Sequence, residues 1–156
     1  MALKLKFGDP EDLSVVATLL QDALIEPRLL HFWPQEGRFA GLFYRFCWEA
    51  CSGQDSLKPV IEGCESRYSR RLSTLIFTGI GSVETRNLVR SSATPLALLS
   101  IQAQLSPAKD LPWRIEMIFA GKVGLRLHAK RLFGALEDKG EPTPTAFRPA
   151  HSEDAA

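Results

Sequence analysis

Apolar positions follow helical spacing early in the chain and a period of two through most of what comes after. LKLKF, residues 3–7, alternates and is expected as a short edge strand. GDPEDLSVVATLLQDALI then places Leu13, Val16, Ala17, Leu20 and Ala23 or Leu24 on one helical face. The start of that helix is marked chemically. Asp9 can accept from a free amide, Pro10 suits the first helical position, and Glu11 and Asp12 lie at the positive end of the dipole. Pro27 is the expected stop.

RLLHFW and RFAGLFYRFCW read as two strands of a hairpin, joined by PQEG with Pro34 and Gly37 as turn residues. Ser52 to Ser66 is polar and reads as a loop. A strand is expected around Leu72 to Phe77 and a weaker one around Ile80 to Val89, with Gly79 and Gly81 allowing a turn or bulge between them. In LALLSIQAQL, Leu99, Ile101, Ala103 and Leu105 fall on one side and Ser100, Gln102 and Gln104 on the other, as in a sheet with one wet face. WRIEMIF and VGLRLHA form the clearest hairpin, connected by AGK, and KRLFGALEDKG then reads as a short helix. Leu132, Phe133 and Leu136 share a face of that helix, and Gly140 ends it.

These elements predict an α+β fold: a strongly curved antiparallel sheet or partly open barrel, with an N-terminal helix and a C-terminal capping helix. The order resembles the pleckstrin-homology-like arrangement with an extra helix before it. That likeness of element count carries no function. Residues 1–140 are expected as a single domain. The tail from 141 to 156, with three prolines and no periodicity, is expected to be disordered.

Composition narrows the classes. The 156 residues are 45% hydrophobic and 24% charged, as in an ordinary folded domain. Nineteen basic against eighteen acidic residues leave a formal charge of +1, which removes any global argument for nucleic acid or an acidic membrane. Cys47, Cys51 and Cys64 are odd in number and scattered, which argues against a disulfide framework and for a reducing, cytoplasmic location. Neither a signal peptide nor a run of about 18 apolar residues is visible, so no membrane association is expected.

Familiar chemistry is mostly missing. The cysteines and His31 lack the paired spacing of a zinc site. No serine lies in a GxSxG turn, and a set such as Cys64, His128 and Glu116 could be drawn from almost any chain. His151 lies in the tail. TGIGS and AGKVG lack the strand–turn–helix context of a nucleotide loop. No cofactor and no metal are expected. What remains is basic and aromatic: Arg67, Arg70 and Arg71 before one strand, and Arg38 and Arg45 within an aromatic one.

RFAGLFYRFCWE, SRRLSTLIF and WRIEMIFAGKVGLRL together resemble an uncharacterised bacterial family, alphaproteobacterial in distribution, over residues 3 to 138. Arg38, Phe39, Arg45, Phe46, Trp48 and Glu49 carry the first block, with Tyr44 standing where the family pattern has asparagine. Arg70 and Arg71 carry the second. Ile115, Glu116, Ile118, Phe119, Ala120, Gly121, Gly124, Arg126 and Leu127 carry the third, from which Met117 and Lys122 depart. The resemblance implies one folded domain and no activity.

Arg38, Tyr44, Arg45, Trp48, Glu49, Arg70, Arg71, Glu116 and Arg126 are therefore the candidate interaction or anion-binding residues. Strand alternation puts Arg45 with Phe39, Gly41, Phe43 and Cys47, and Arg38 with Ala40, Leu42, Tyr44, Phe46 and Trp48. A structural ion pair, Arg45 or Arg71 with Glu49 or Glu116, is the plainest use of these charges. The leading expectation is a non-catalytic domain that binds a protein or homodimerises through an aromatic sheet face rimmed by arginines. The alternative is a small anion-binding protein or enzyme, with Glu49 or Glu116 as acid or base. An RNA-binding domain is a weaker third. A pocket holding these side chains would favour the second reading, and a flat exposed patch the first.

Overall fold

The computed structural model describes residues 2–51, 68–145 and 149. In chain order the elements are β1 (Lys4–Phe7), α1 (Pro10–Leu19), β2 (Leu24–Ile25), β3 (Leu30–Trp33), β4 (Arg38–Phe46), β5 (Tyr68–Phe77), β6 (Ile80–Arg86), β7 (Leu96–Leu105), β8 (Trp113–Phe119), β9 (Val123–Ala129) and β10 (Gly134–Thr145). The strands form one ten-stranded sheet in the order β1-β10-β5-β4-β2-β7-β8-β9-β6, with β3 paired to β4 off that path. All of its pairings are antiparallel.

The strongly curved or barrel-like sheet with a C-terminal helical cap is not what the chain forms. The strand path is open, ending at β1 and β6. Among the described residues α1 is the only α-helix.

The segment expected as the cap is β10, and it continues past Gly140 to Thr145, where the tail was expected to begin. Leu132, Phe133 and Leu136 do fit one helical face. But Leu132, Gly134, Leu136 and Asp138 are buried at a period of two, while Phe133 is exposed. The deciding period was hidden because two of its members are a glycine and an aspartate. Gly134 is required there: a side chain would overlap the Ile76 carbonyl oxygen and the Phe7 ring.

The first helix starts as expected. Asp9 Oδ1 accepts from the Asp12 amide at 2.7 Å, and Pro10 occupies the first turn. It ends earlier than Pro27, because Asp22 turns the chain with φ 61° and Leu24–Ile25 become β2. This two-residue strand joins the halves of the sheet, pairing Leu24 with Tyr44 of β4 on one side and with Ala97 of β7 on the other.

In β7 the expected apolar face is only half present. The register with β8 shifts between Leu98 and Ser100, so Leu99 sits in a bulge and is 49% exposed, while Leu98 and Ile101 point inward. Leu105, on the face expected to be buried, is 68% exposed. Both hairpins, β3–β4 and β8–β9, form as the alternation predicts. Leu13 and Val16 of α1, Leu20 just after it, Phe39 and Phe43 of β4, Phe77 of β5 and Ile115, Met117 and Phe119 of β8 bury themselves in a single core.

Candidate functional site

The aromatic strand β4 divides by its period up to Arg45. Phe39, Phe43 and Arg45 turn inward with Phe46, whose ring is also buried, while Leu42 and Tyr44 face outward and are half-buried. Most of the aromatic surface is therefore core. Arg45 is the exception inside it, a guanidinium with 0% exposure that must find partners for every donor.

It finds them all. Nε donates to Asp138 Oδ1 and Nη2 to Oδ2, both at 2.8 Å. Nη1 and Nη2 reach Glu49 Oε1 and Oε2 at 2.9 and 2.7 Å, and Nη1 also points at the Phe46 carbonyl at 3.5 Å. Asp138 additionally accepts from the Ser73 hydroxyl at 2.5 Å and the Leu3 amide at 2.7 Å. Arg71, directly across from Arg45 in the β4–β5 ladder, comes within 3.7 Å of Asp138 and donates to the Gly140 carbonyl at 3.3 Å. One carboxylate thus offsets two facing arginines that would otherwise repel.

Burial pushes the Asp138 carboxyl up. The hydrogen bonds from Arg45, Leu3 and Ser73, together with the arginine charge, more than reverse this and hold it at about 2. Burial likewise acts to raise Glu49, and the hydrogen bonds and charge of Arg45 bring it below the usual carboxylate range. Arg45 loses by desolvation but is held protonated by both partners. This buried arginine–carboxylate network has no donor of Arg45 left for a ligand.

Arg70 behaves differently. Its Nη1 donates to the Tyr44 carbonyl at 3.1 Å, and the guanidinium lies 5.8 Å from the Tyr44 and Phe46 ring centres. Burial lowers its pKa. Trp48 packs edge-on to Phe46 at 4.6 Å and donates from Nε1 to the Gln21 carbonyl at 2.9 Å. Arg38 stands apart, paired with Glu36 at 2.9 Å and stacked 4.5 Å over Trp33.

Glu116 and Arg126 lie on a different part of the sheet, on the outward face of β8 and β9, where the register pairs them. Glu116 Oε1 is 3.3 Å from Arg114 Nε and 3.4 Å from Arg126 Nε, while Arg126 Nη1 reaches Glu84 of β6 at 3.5 Å. Next along this face Gly124 stands between Ile118 and Arg86, and with no side chain over it the sheet is dented. The resulting cleft of about 480 Å³ is lined by Glu84, Arg86, Glu116, Ile118, Lys122 and Arg126, among others. Its rim is shaped by Asn87 and Lys122, both in the left-handed region (φ 56° and 63°) and joined by a 2.9 Å bond from Asn87 Nδ2 to the Lys122 carbonyl. Among the described residues, no carboxylate lies within salt-bridge distance of Arg86 or Lys122, the two cations at this rim.

Arg38 aside, the candidate residues thus fall into three places. Arg45, Glu49 and Arg71 join the buried network; Tyr44, Trp48 and Arg70 form an aromatic group beside it; Glu116 and Arg126 line the cleft. Asp138 and Ser73 were missed because they lie far along the chain from Arg45, and Asp138 sat in what read as a helix. Arg86 and Lys122 were missed because neither has an aromatic neighbour in sequence. Arg67, Cys64 and His151 lie outside the described residues. Cys47 is buried, and among the described residues no group of three or more His, Cys, Asp or Glu side chains could hold a metal. No helix of the described residues is long and apolar enough to cross a membrane.

These features define an α+β protein with one large antiparallel sheet, a single N-terminal helix and a buried arginine–carboxylate network beside an aromatic cluster. The chain belongs to the DUF2948 family, a family of proteins of unknown function, whose model matches residues 3–151. No curated protein and no solved structure matches it.

Proposed function

We propose that this protein binds a small anionic ligand, a carboxylate or a phosphate ester, in the cleft over Gly124, and that it acts by binding rather than catalysis. The observation that carries the reading is the placement of two cations, Arg86 and Lys122, without carboxylate partners among the described residues, at the rim of a cleft that also holds Arg126. Arginine and lysine offer complementary recognition there, a planar fork and a mobile point charge. Ile118 supplies apolar wall, in keeping with a site that pairs a few polar groups with apolar surface. Glu116 is engaged by two arginines, which suits a fixed charge that orients Arg126 better than a proton carrier. The aromatic face of β4 supports homodimerisation less well, because Phe39, Phe43 and Phe46 are buried and only Tyr44 and Trp48 keep partial exposure.

Titration calorimetry with inorganic phosphate and with citrate tests the reading. Binding in the micromolar to millimolar range is expected, weakened at least fivefold in Arg86→Gln and in Lys122→Gln. No heat from either anion, or heat unaltered by both substitutions, overturns it.

A further inference from the structure

Among the described residues, the edge of β7 that faces away from β8 is unpaired for most of its length. β2 pairs with it only at Leu96 and Ala97, and the backbone bonds of Leu98 to Asp22 and Ala23 complete that contact. From Leu99 to Leu105, β8 is the only strand paired with β7 among the described residues. A second cavity, of about 560 Å³, lies along this stretch. It is lined by the consecutive residues 99–104 of β7 and, opposite them, by Leu13, Ser14, Ala17 and Thr18 of α1. Side chains of successive strand residues point to opposite faces of a sheet. A cavity that touches six in a row therefore runs along the strand's edge, with the unpaired N–H and C=O groups as its floor.

Two further observations bear on the occupant. Natural edge strands are usually blunted by charge or proline. The ten residues of β7, LALLSIQAQL, contain neither, and no ionisable side chain lines the cavity from either wall. The apolar side chains Leu99 and Leu105 stay exposed along the same stretch. α1 stands alongside as a wall, so the groove admits a lone length of chain and obstructs the approach of a second folded sheet edge.

We propose that the groove between α1 and β7 docks an extended, uncharged segment of a partner polypeptide, which adds to the sheet as a strand beside residues 99–105. Backbone hydrogen bonds along the edge supply the affinity, and small apolar or hydroxyl side chains on alternate positions fill the space under α1. This surface is separate from the anion cleft, so either proposal can fail without the other.

The test is an amide NMR titration of the full chain with the capped peptide acetyl-Val-Thr-Val-Ser-Val-Thr-amide. A second titration uses the same peptide N-methylated at alternate residues. Shifts concentrated on residues 99–105 and on α1, slower amide exchange along that edge, and at least a tenfold loss with the N-methylated peptide are expected. Ser14→Trp, at an exposed helix position on the groove wall, should keep the fold and weaken binding at least fivefold. Absence of shifts at millimolar peptide overturns the proposal. Equal binding of the N-methylated peptide overturns it too, since the site would then read side chains and not backbone. Protection of the β7 edge together with a doubled solution mass, before any peptide is added, would give the edge to a second copy and likewise overturn it.

Discussion

Arg45 and Asp138, 93 residues apart in sequence, meet as a two-point ion pair with both side chains at 0% exposure. They are not on neighbouring strands. β5 runs between β4 and β10, and its Ser73 fills the gap by donating to the same carboxylate that Arg45 holds. Together with the Leu3 amide, this ties β1, β4, β5 and β10 through one acceptor.

Removing one partner should cost far more than removing both. Asp138→Asn leaves the buried guanidinium facing Arg71 with only Glu49 to offset it, and should lower stability by about 3–5 kcal/mol. The double substitution Arg45→Met, Asp138→Leu should recover most of that loss, because it removes the desolvation cost along with the pair. Urea denaturation of Arg45→Met, of Asp138→Leu and of the double measures the coupling. Additive effects would show that the pair does not act as a unit.

The same carboxylate sets an acid limit. Its pKa falls from 3.8 to about 2 on folding, so the unfolded chain takes up the proton more readily. The stabilisation is therefore full above about pH 4 and is lost as pH falls toward about 2, amounting to roughly 2 kcal/mol for this group. Glu49, also lowered, adds in the same direction. Urea midpoints between pH 6 and 2 should decline over that interval, and a ¹³C-carboxyl titration should place Asp138 at its lower end.

Two glycines of β10 should respond unequally to the smallest possible change. Gly134→Ala forces a methyl into the Ile76 carbonyl and the Phe7 ring, and should destabilise by about 3 kcal/mol or more as the strand is pushed off β5. Gly140 has φ 72° and open space around it, so Gly140→Ala meets only the left-handed penalty of about 1–2 kcal/mol. Thermal denaturation of both variants checks the ranking.

The anion cleft depends on a missing side chain. A Cβ at Gly124 would meet only ordinary contacts, 3.7 Å from the Met117 carbonyl and 3.8 Å from Ile118. Gly124→Val should therefore fold with an unchanged or slightly raised melting temperature, valine being at home in a strand. Phosphate affinity should fall about tenfold as the dent is filled. Retained affinity in a folded variant would place the anion elsewhere.

Helix capping offers a local control. Asp9→Ala removes the acceptor for the Asp12 amide and should cost about 1 kcal/mol. The expected readout is a lower urea midpoint with no change in phosphate binding, since α1 lies away from the cleft.

Local chemistry settled a good part of this structure. Asp9 and Pro10 fixed the start of α1, because a cap and a missing amide act over one turn. Alternation in RFAGLFYRF and WRIEMIF sorted the residues of β4 and β8 onto two faces, because a strand's period depends on its own backbone; which face of β4 turns inward it left open. The sequence also implied that Arg45, if buried on an apolar face, would need a carboxylate or carbonyl partner. Which acid it finds, and that Gly134 begins a strand, depended on contacts more than fifty residues distant along the chain. Asp138 is drawn inward because β5 offers an unpaired edge to β10, and Arg45 waits two strands away. The same holds for the dent over Gly124 and the open side of β7. Each arises from how strands are ordered in the sheet, and strand order is set by the burial of one shared core, which no short window of residues contains.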